Sequence, residues 1–207
     1  FLETRQICVE VFHQLFDASL LQKKLALGIQ PKDPSGFDDV PEAQRAEFEE
    51  YYIETARKVG QMLLEAGNYS AGWVYFRTIR EPGPVVKAIE AYQPDPEGSP
   101  SEEVIELALY QGLAPAKGLE LMLAYHGTCP SITALDQGFR QLTPEQRRAC
   151  AAVMILKMYR DLRGSVGMDL ERRTGSLPAE SLTLSDLVAA HPEIFENDNY
   201  HIDVSHL

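Results

Sequence analysis

Apolar residues recur at steps of three and four along most of the chain, and strict alternation is nearly absent. That spacing places side chains on one face of a helix. Residues 3–26 carry such a stripe at Cys8, Phe12, Leu15 and Phe16. The pattern stops at GIQPKDPSGFDDV (28–40), where Pro31, Pro34 and Gly36 predict a loop. Pro41, preceded by Asp38 and Asp39, marks the start of the next helix. Phe48, Tyr52, Ala56, Val59, Leu63 and Ala66 then hold one apolar face for more than five turns. Gly67-Asn68 ends it.

A second helix is expected from Tyr69 to Arg80, broken by Pro82 and Pro84, and a short one over 84–92. Residues 93–100, QPDPEGSP, read as a linker, with Ser99-Pro100-Ser101-Glu102 as a capping box behind it. Helices are expected at 100–111, 114–126 and 130–141, punctuated by Gly112 and Gly127. Thr143-Pro144-Glu145-Gln146 forms a second capping box. The helix it opens contains ACAAVMILKMY (149–159), apolar on nearly every side, which predicts a buried central helix loosened after Gly164 and Gly167. Residues 183–190 are helical again. The connections after residue 66 are short, so neighbouring helices should run antiparallel.

One segment carries more than helical periodicity. Residues 53–84, IETARKVGQMLLEAGNYSAGWVYFRTIREPGP, resemble a tetratricopeptide repeat at Ala56, Gly60, Leu63, Gly67-Asn68-Tyr69, Gly72, Phe76, Ile79 and Pro84. The spacing has a physical logic of its own. Gly60 and Gly72 let two helix backbones approach, Leu63, Tyr69 and Phe76 fill the space around them, and Gly67 accepts a left-handed turn. The likeness covers about 32 of the 207 residues. Residues 113–144 follow it weakly through Leu119, Gly127, Phe139 and Pro144, with Glu120 where a small side chain belongs. The expected fold is therefore all-α, with antiparallel hairpins stacked as a degenerate tetratricopeptide-like solenoid or, failing that, an irregular bundle. Its parts would be 1–40 (helix and loop), 41–92 (repeat-like hairpin plus short helix), the linker 93–100, and 101–207 (further hairpins, continuous with 41–92).

Composition narrows the function classes. A net charge of −12 disfavours nucleic acid and anionic membrane surfaces. The balance is uneven: residues 140–173 hold eight Arg or Lys against four acids, and residues 174–207 hold six acids and no Arg or Lys. The longest apolar run, Ala149–Leu156, is far short of the ~20 residues of a membrane span. Three widely spaced cysteines, Cys8, Cys129 and Cys150, suggest neither a disulfide framework nor a zinc ribbon, and fit reduced thiols in the cytoplasm. Phe1 at the start, and an apolar pattern running into Leu207, fit a piece of a longer protein.

Short catalytic and nucleotide-binding motifs are missing, and no cofactor is expected. His201, Asp203 and His206, with His191, Glu193, Glu196 and Asp198 upstream, have ligand chemistry for a transition metal. On a helix, however, His201 and Asp203 would diverge by about 200°, and a solvated acidic surface explains them better. His126 and Cys129 allow a thiol–imidazole pair at a helix start, set against a small buried thiol behind a Gly127 cap.

In tetratricopeptide repeats the first helix of each hairpin lines a groove for extended peptides. Carried onto this chain, the resemblance implies Arg57, Gln61, Leu64 and Glu65 as groove residues, and Trp73 is the candidate aromatic anchor. The leading expectation is a non-catalytic scaffold or adaptor that binds a peptide or partner protein. The alternative is a helical enzyme or regulatory domain using His126, Cys129 or the C-terminal His/Asp group. A purely structural part of a larger chain is a third reading.

Overall fold

A computed structural model describes residues 2–94 and 101–195, with backbone alone for 2–8 and 195. The described residues are all helical, without a strand. The chain divides into two compact units, Phe1–Gly118 and Leu119–Leu207.

The first unit begins with α1 (Leu2–Ala26), α2 (Glu42–Glu65) and α3 (Tyr69–Thr78). Its core gathers Phe16 and Leu20 of α1, Ile29 and Val40 of the following loop, Phe48, Ala56, Val59 and Leu63 of α2, and Tyr75 of α3. The α2 stripe read from the sequence is thus the core stripe, although Ala66 lies exposed beyond it. On α1, Phe16 is buried while Leu15 is 41% exposed.

Helices α2 and α3 form the antiparallel hairpin expected at 53–84. Gly67 turns with φ 75°, a conformation glycine takes without a steric cost. A Cβ on Gly60 would stand 2.8 Å from Phe76 Cε2, and one on Gly72 2.8 Å from Leu64 Cδ2 and 3.2 Å from the Gly60 carbonyl oxygen. Both glycines are therefore required by contact. Helix α3 stops where Glu81 N–H bonds back to the Phe76 carbonyl, which forces Arg80 to a left-handed φ of 59°.

The loop before α2 is held by an unexpected residue. Lys24 is completely buried, and its ammonium donates to the carbonyls of Asp33 (2.6 Å) and Gly36 (2.7 Å) and to Asp39 Oδ1 (2.6 Å). Three donors meet three acceptors, so this buried charge is fully satisfied. Asp39 also accepts from Lys32 N–H. Its carboxylate closes the loop rather than starting α2, whose N-cap is Pro41 without a side-chain cap. The bond from Lys24 is the main cause holding Asp39 below its ordinary pKa, followed by that from the Lys32 backbone.

Helix α4 (Gly83–Glu90) packs on α2 and α3, and buries Val85 and Ile89. Helix α5 (Glu102–Ile105) runs into a π-helical turn, Glu106–Tyr110, that buries Leu107, Ala108 and Leu109. Glu103 accepts the Ser70 N–H at the first turn of α3. Ser99 and Pro100 of the expected capping box lie outside the described residues, and Ser101 is the N-cap of α5. Helix α6 (Pro115–Tyr125) starts in this unit, where a Cβ on Gly118 would meet the Leu109 Cβ and backbone nitrogen at 2.8 Å. This is a second close approach, two residues before the Glu120 that spoils the repeat pattern.

In the second unit, α7 (Thr128–Gly138) leads through a 3-10 turn, Phe139–Gln141, to α8 (Pro144–Thr174), a helix of 31 residues. The Thr143 capping box is formed: Thr143 Oγ1 accepts from Gln146 N–H, and Gln146 Oε1 accepts from Thr143 N–H. Gly164 and Gly167 lie within the helix without breaking it, and Gly175 ends it at φ 79°. A further capping box, Thr183 with Asp186, opens α9 (Leu184–Ala190), and the 3-10 turn Pro192–Phe195 follows. Leu187 of α9 and Ile194 pack on Val166 and Leu170 of α8.

The expectation that fails is the burial of α8. Ile155 is 65% exposed, Leu156 52% and Tyr159 41%, and within 149–159 only Cys150 is fully buried. Helix α9, seven residues long, is too short to cover a helix of 31.

Candidate interaction surfaces

The residues proposed for a groove on α2 do not share one open face. Leu64 is 6% exposed and lies against Gly72 inside the hairpin. Arg57 is exposed, yet it is not the isolated cation that an anionic ligand would need. Its Nε and Nη2 donate to Glu81 Oε2 and Oε1 at 2.8 and 2.6 Å, a two-pronged pair. That bond is the leading cause that raises the Arg57 pKa and lowers that of Glu81. Gln61 donates to Glu65 one turn along, at 3.0 Å. A partner's carboxylate would have to displace Glu81, and Gln61 is already engaged with an acid.

Trp73 is partly buried, and its indole N–H donates to Gln111 Oε1 at 2.8 Å, so it braces α3 to the turn after Tyr110. Tyr75 belongs to the core. Its hydroxyl lies 2.5 Å from His13 Nδ1, its ring meets Phe16 edge-on, and burial pushes its pKa well above the usual tyrosine range.

His126 and Cys129 are both exposed, so the small-buried-thiol reading fails for Cys129. Of Cys129 and Cys150 the buried thiol is Cys150, and desolvation raises its pKa. Neither Cys129 nor Cys150 is disulfide-bonded. His201, Asp203, His206, Glu196 and Asp198 lie outside the described residues, and His191 pairs with Glu193 at 2.9 Å. Among the described residues no group of three or more His, Cys, Asp or Glu could hold a metal ion, and no helix is long and apolar enough to cross a membrane.

An open apolar feature in the second unit is the face of α8 that was expected to be interior. Ala152, Ile155, Tyr159, Leu162, Val166 and Leu170 follow at steps of four and three, which aligns them along one side of the helix. Leu156 widens the stripe. The half from Leu162 onward is covered by Leu184, Leu187 and Ile194. Two contacts mark where the cover ends. Leu184 N–H donates to the Tyr159 hydroxyl at 3.2 Å. Arg163 donates to the carbonyls of Ala179, Glu180 and Leu182 at 2.8 to 2.9 Å. Among the described residues the half before Tyr159 has no such lid.

Burial separates these surfaces in a way that periodicity cannot. The apolar run of 149–159 was visible in the sequence, but the length and position of the elements that cover it were not. No protein-family model, curated protein or solved structure matches this sequence.

Proposed function

We propose that the chain is a protein-interaction module, a scaffold or adaptor, whose docking surface is the open half of α8. The observation that carries this reading is the stripe itself, one apolar line covered by the chain's own α9 at one end and exposed at the other. Ile155, Leu156 and Tyr159 form a contiguous exposed apolar surface, the kind that marks docking sites rather than scattered surface residues. The fitting occupant is a helical segment of a partner protein, whose apolar positions recur with the same three-and-four spacing.

The likeness of 53–84 to a tetratricopeptide repeat supports the same class of function, since such hairpins commonly build binding scaffolds. The α2 face is the weaker docking candidate, because Arg57 is engaged by Glu81 and Leu64 is buried. Reduced thiols at Cys129 and Cys150 fit a cytoplasmic setting.

The test is a selection of displayed helical peptides on the intact chain. Enriched peptides should bind with micromolar dissociation constants and lose that binding to an Ile155→Glu/Leu156→Glu variant whose circular dichroism is unchanged. Enrichment of no peptide that depends on these two residues would remove α8 as the docking surface.

A further inference from the structure

We infer that the open half of α8 receives an amphipathic helix that carries acids beside and beyond its apolar positions, so that carboxylates meet Arg148 at the end of the stripe and Arg160 at its side. This inference rests on the docking reading above and gives the partner its chemistry.

The first argument is charge. The chain as a whole carries −12, yet residues 144–163 hold five basic residues and two acids. Three of the five cations are occupied. Lys157 pairs with Asp161, Arg147 donates to the carbonyls of Phe139 and Arg140, and Arg163 holds the loop 179–182. Arg148 and Arg160 are exposed and pair with no carboxylate among the described residues. Arg148 lies one turn before Ala152 on the line of the stripe, and Arg160 lies one turn after Leu156. An incoming carboxylate would gain a charge-assisted hydrogen bond at either guanidinium, beside apolar surface that excludes water.

The second argument is the cover that the molecule already uses. Residues 175–195 place leucine and isoleucine anchors on the other half of the same stripe, and they contain three acids and no Lys or Arg. The occupied half is thus covered by an apolar-anchored segment that is acidic in composition, and Arg163 beside it is held by that segment's carbonyls, whereas Arg148 and Arg160 of the open half pair with no carboxylate among the described residues. A second copy of this chain fits less well, because pairing two α8 helices about Ile155 and Leu156 would set basic rim against basic rim.

The probes are two synthetic heptad-repeat peptides with the same leucine positions, one with glutamates and one with lysines at the flanking positions. Binding to the intact chain is read by fluorescence anisotropy. The glutamate peptide should bind on the order of tenfold tighter at low salt, with the margin narrowing as salt screens it. Arg148→Glu/Arg160→Glu, which leaves the apolar stripe whole, should reverse the ranking.

Equal binding of both peptides, abolished by Ile155→Glu/Leu156→Glu, would overturn the acidic partner while the docking surface stood. Binding of neither peptide would overturn both. Three further results would assign the stripe elsewhere and overturn the inference. One is a doubled mass in solution that the stripe variant abolishes. Another is binding of a synthetic peptide of residues 196–207 as tight as that of the glutamate peptide. The third is tighter binding of phosphatidylserine vesicles than of either peptide.

Discussion

Helices α2 and α8 are the two longest after residue 40, and both were expected to be core elements, yet α8 is one only over its second half. In α2 the apolar residues keep to one stripe, and the chain supplies a facing surface for it: α1 lies on Phe48 and Tyr52, and α3 closes on Gly60 and Leu64. In α8 the apolar residues spread around the helix between Ala149 and Tyr159, and the element that follows, α9, reaches only the half from Leu162 onward. Hydrophobicity along a sequence states a demand for cover. Whether the demand is met depends on the length and position of other elements, and on α8 half of it is left to solvent.

The comparison breaks most readily in the hairpin. Phe76 is 1% exposed, so Phe76→Ala should destabilise the first unit by about 3–5 kcal/mol, read as a lower denaturant midpoint. A smaller loss would mean that the hairpin core is looser than its glycine contacts imply. Gly72→Leu should cost about 1–3 kcal/mol, since the added side chain must displace Leu64 or separate the two backbones. An unchanged melting temperature would count against the close approach of α2 and α3.

The buried Lys24 sharpens the comparison through pH. Asp39 titrates below its ordinary value of 3.8 in the folded chain. Its contribution is therefore present above that value and is lost as pH falls through the lowered pKa. Lys24→Met should lower stability at neutral pH and flatten its fall on acidification. Parallel melting-temperature profiles for parent and variant between about pH 2 and 6 would show that the pair makes no such contribution. A smaller effect of opposite sign is expected at the end of α3. Arg80 holds φ 59°, so Arg80→Gly should stabilise by roughly 0.5–1 kcal/mol as the left-handed strain is relieved. A destabilised variant would place the value of Arg80 in its side chain.

What could be read from the sequence follows the same division. The α2–α3 hairpin was legible because its signals are local: a stripe of constant phase, small residues at Gly60 and Gly72, and a glycine turn. The Thr143 capping box was legible for the same reason. Lys24 was not, because a lysine in the last turn of a helix ordinarily faces solvent, and its three acceptors come from residues nine to fifteen positions on. Arg57, expected as a groove residue, is exposed on α2, but its partner Glu81 is 24 residues away, so an internally paired ion looked like an open one. Gly118 escaped notice because its contact is with a π-helical turn, whose register does not follow the 3.6-residue period. The exposure of α8 was hidden because composition cannot tell an apolar face that is covered from one that awaits a partner.

The most direct measurement is the stability of an Ile155→Gln/Leu156→Gln double variant by chemical denaturation, followed with a probe in the second unit. If the open half of α8 is solvent-exposed in the isolated chain, each replacement should change stability by no more than about 0.5 kcal/mol, as at other exposed positions. A combined loss of several kcal/mol, like that of Phe76→Ala, would show that these side chains are covered in the folded chain and would contradict the docking surface on α8.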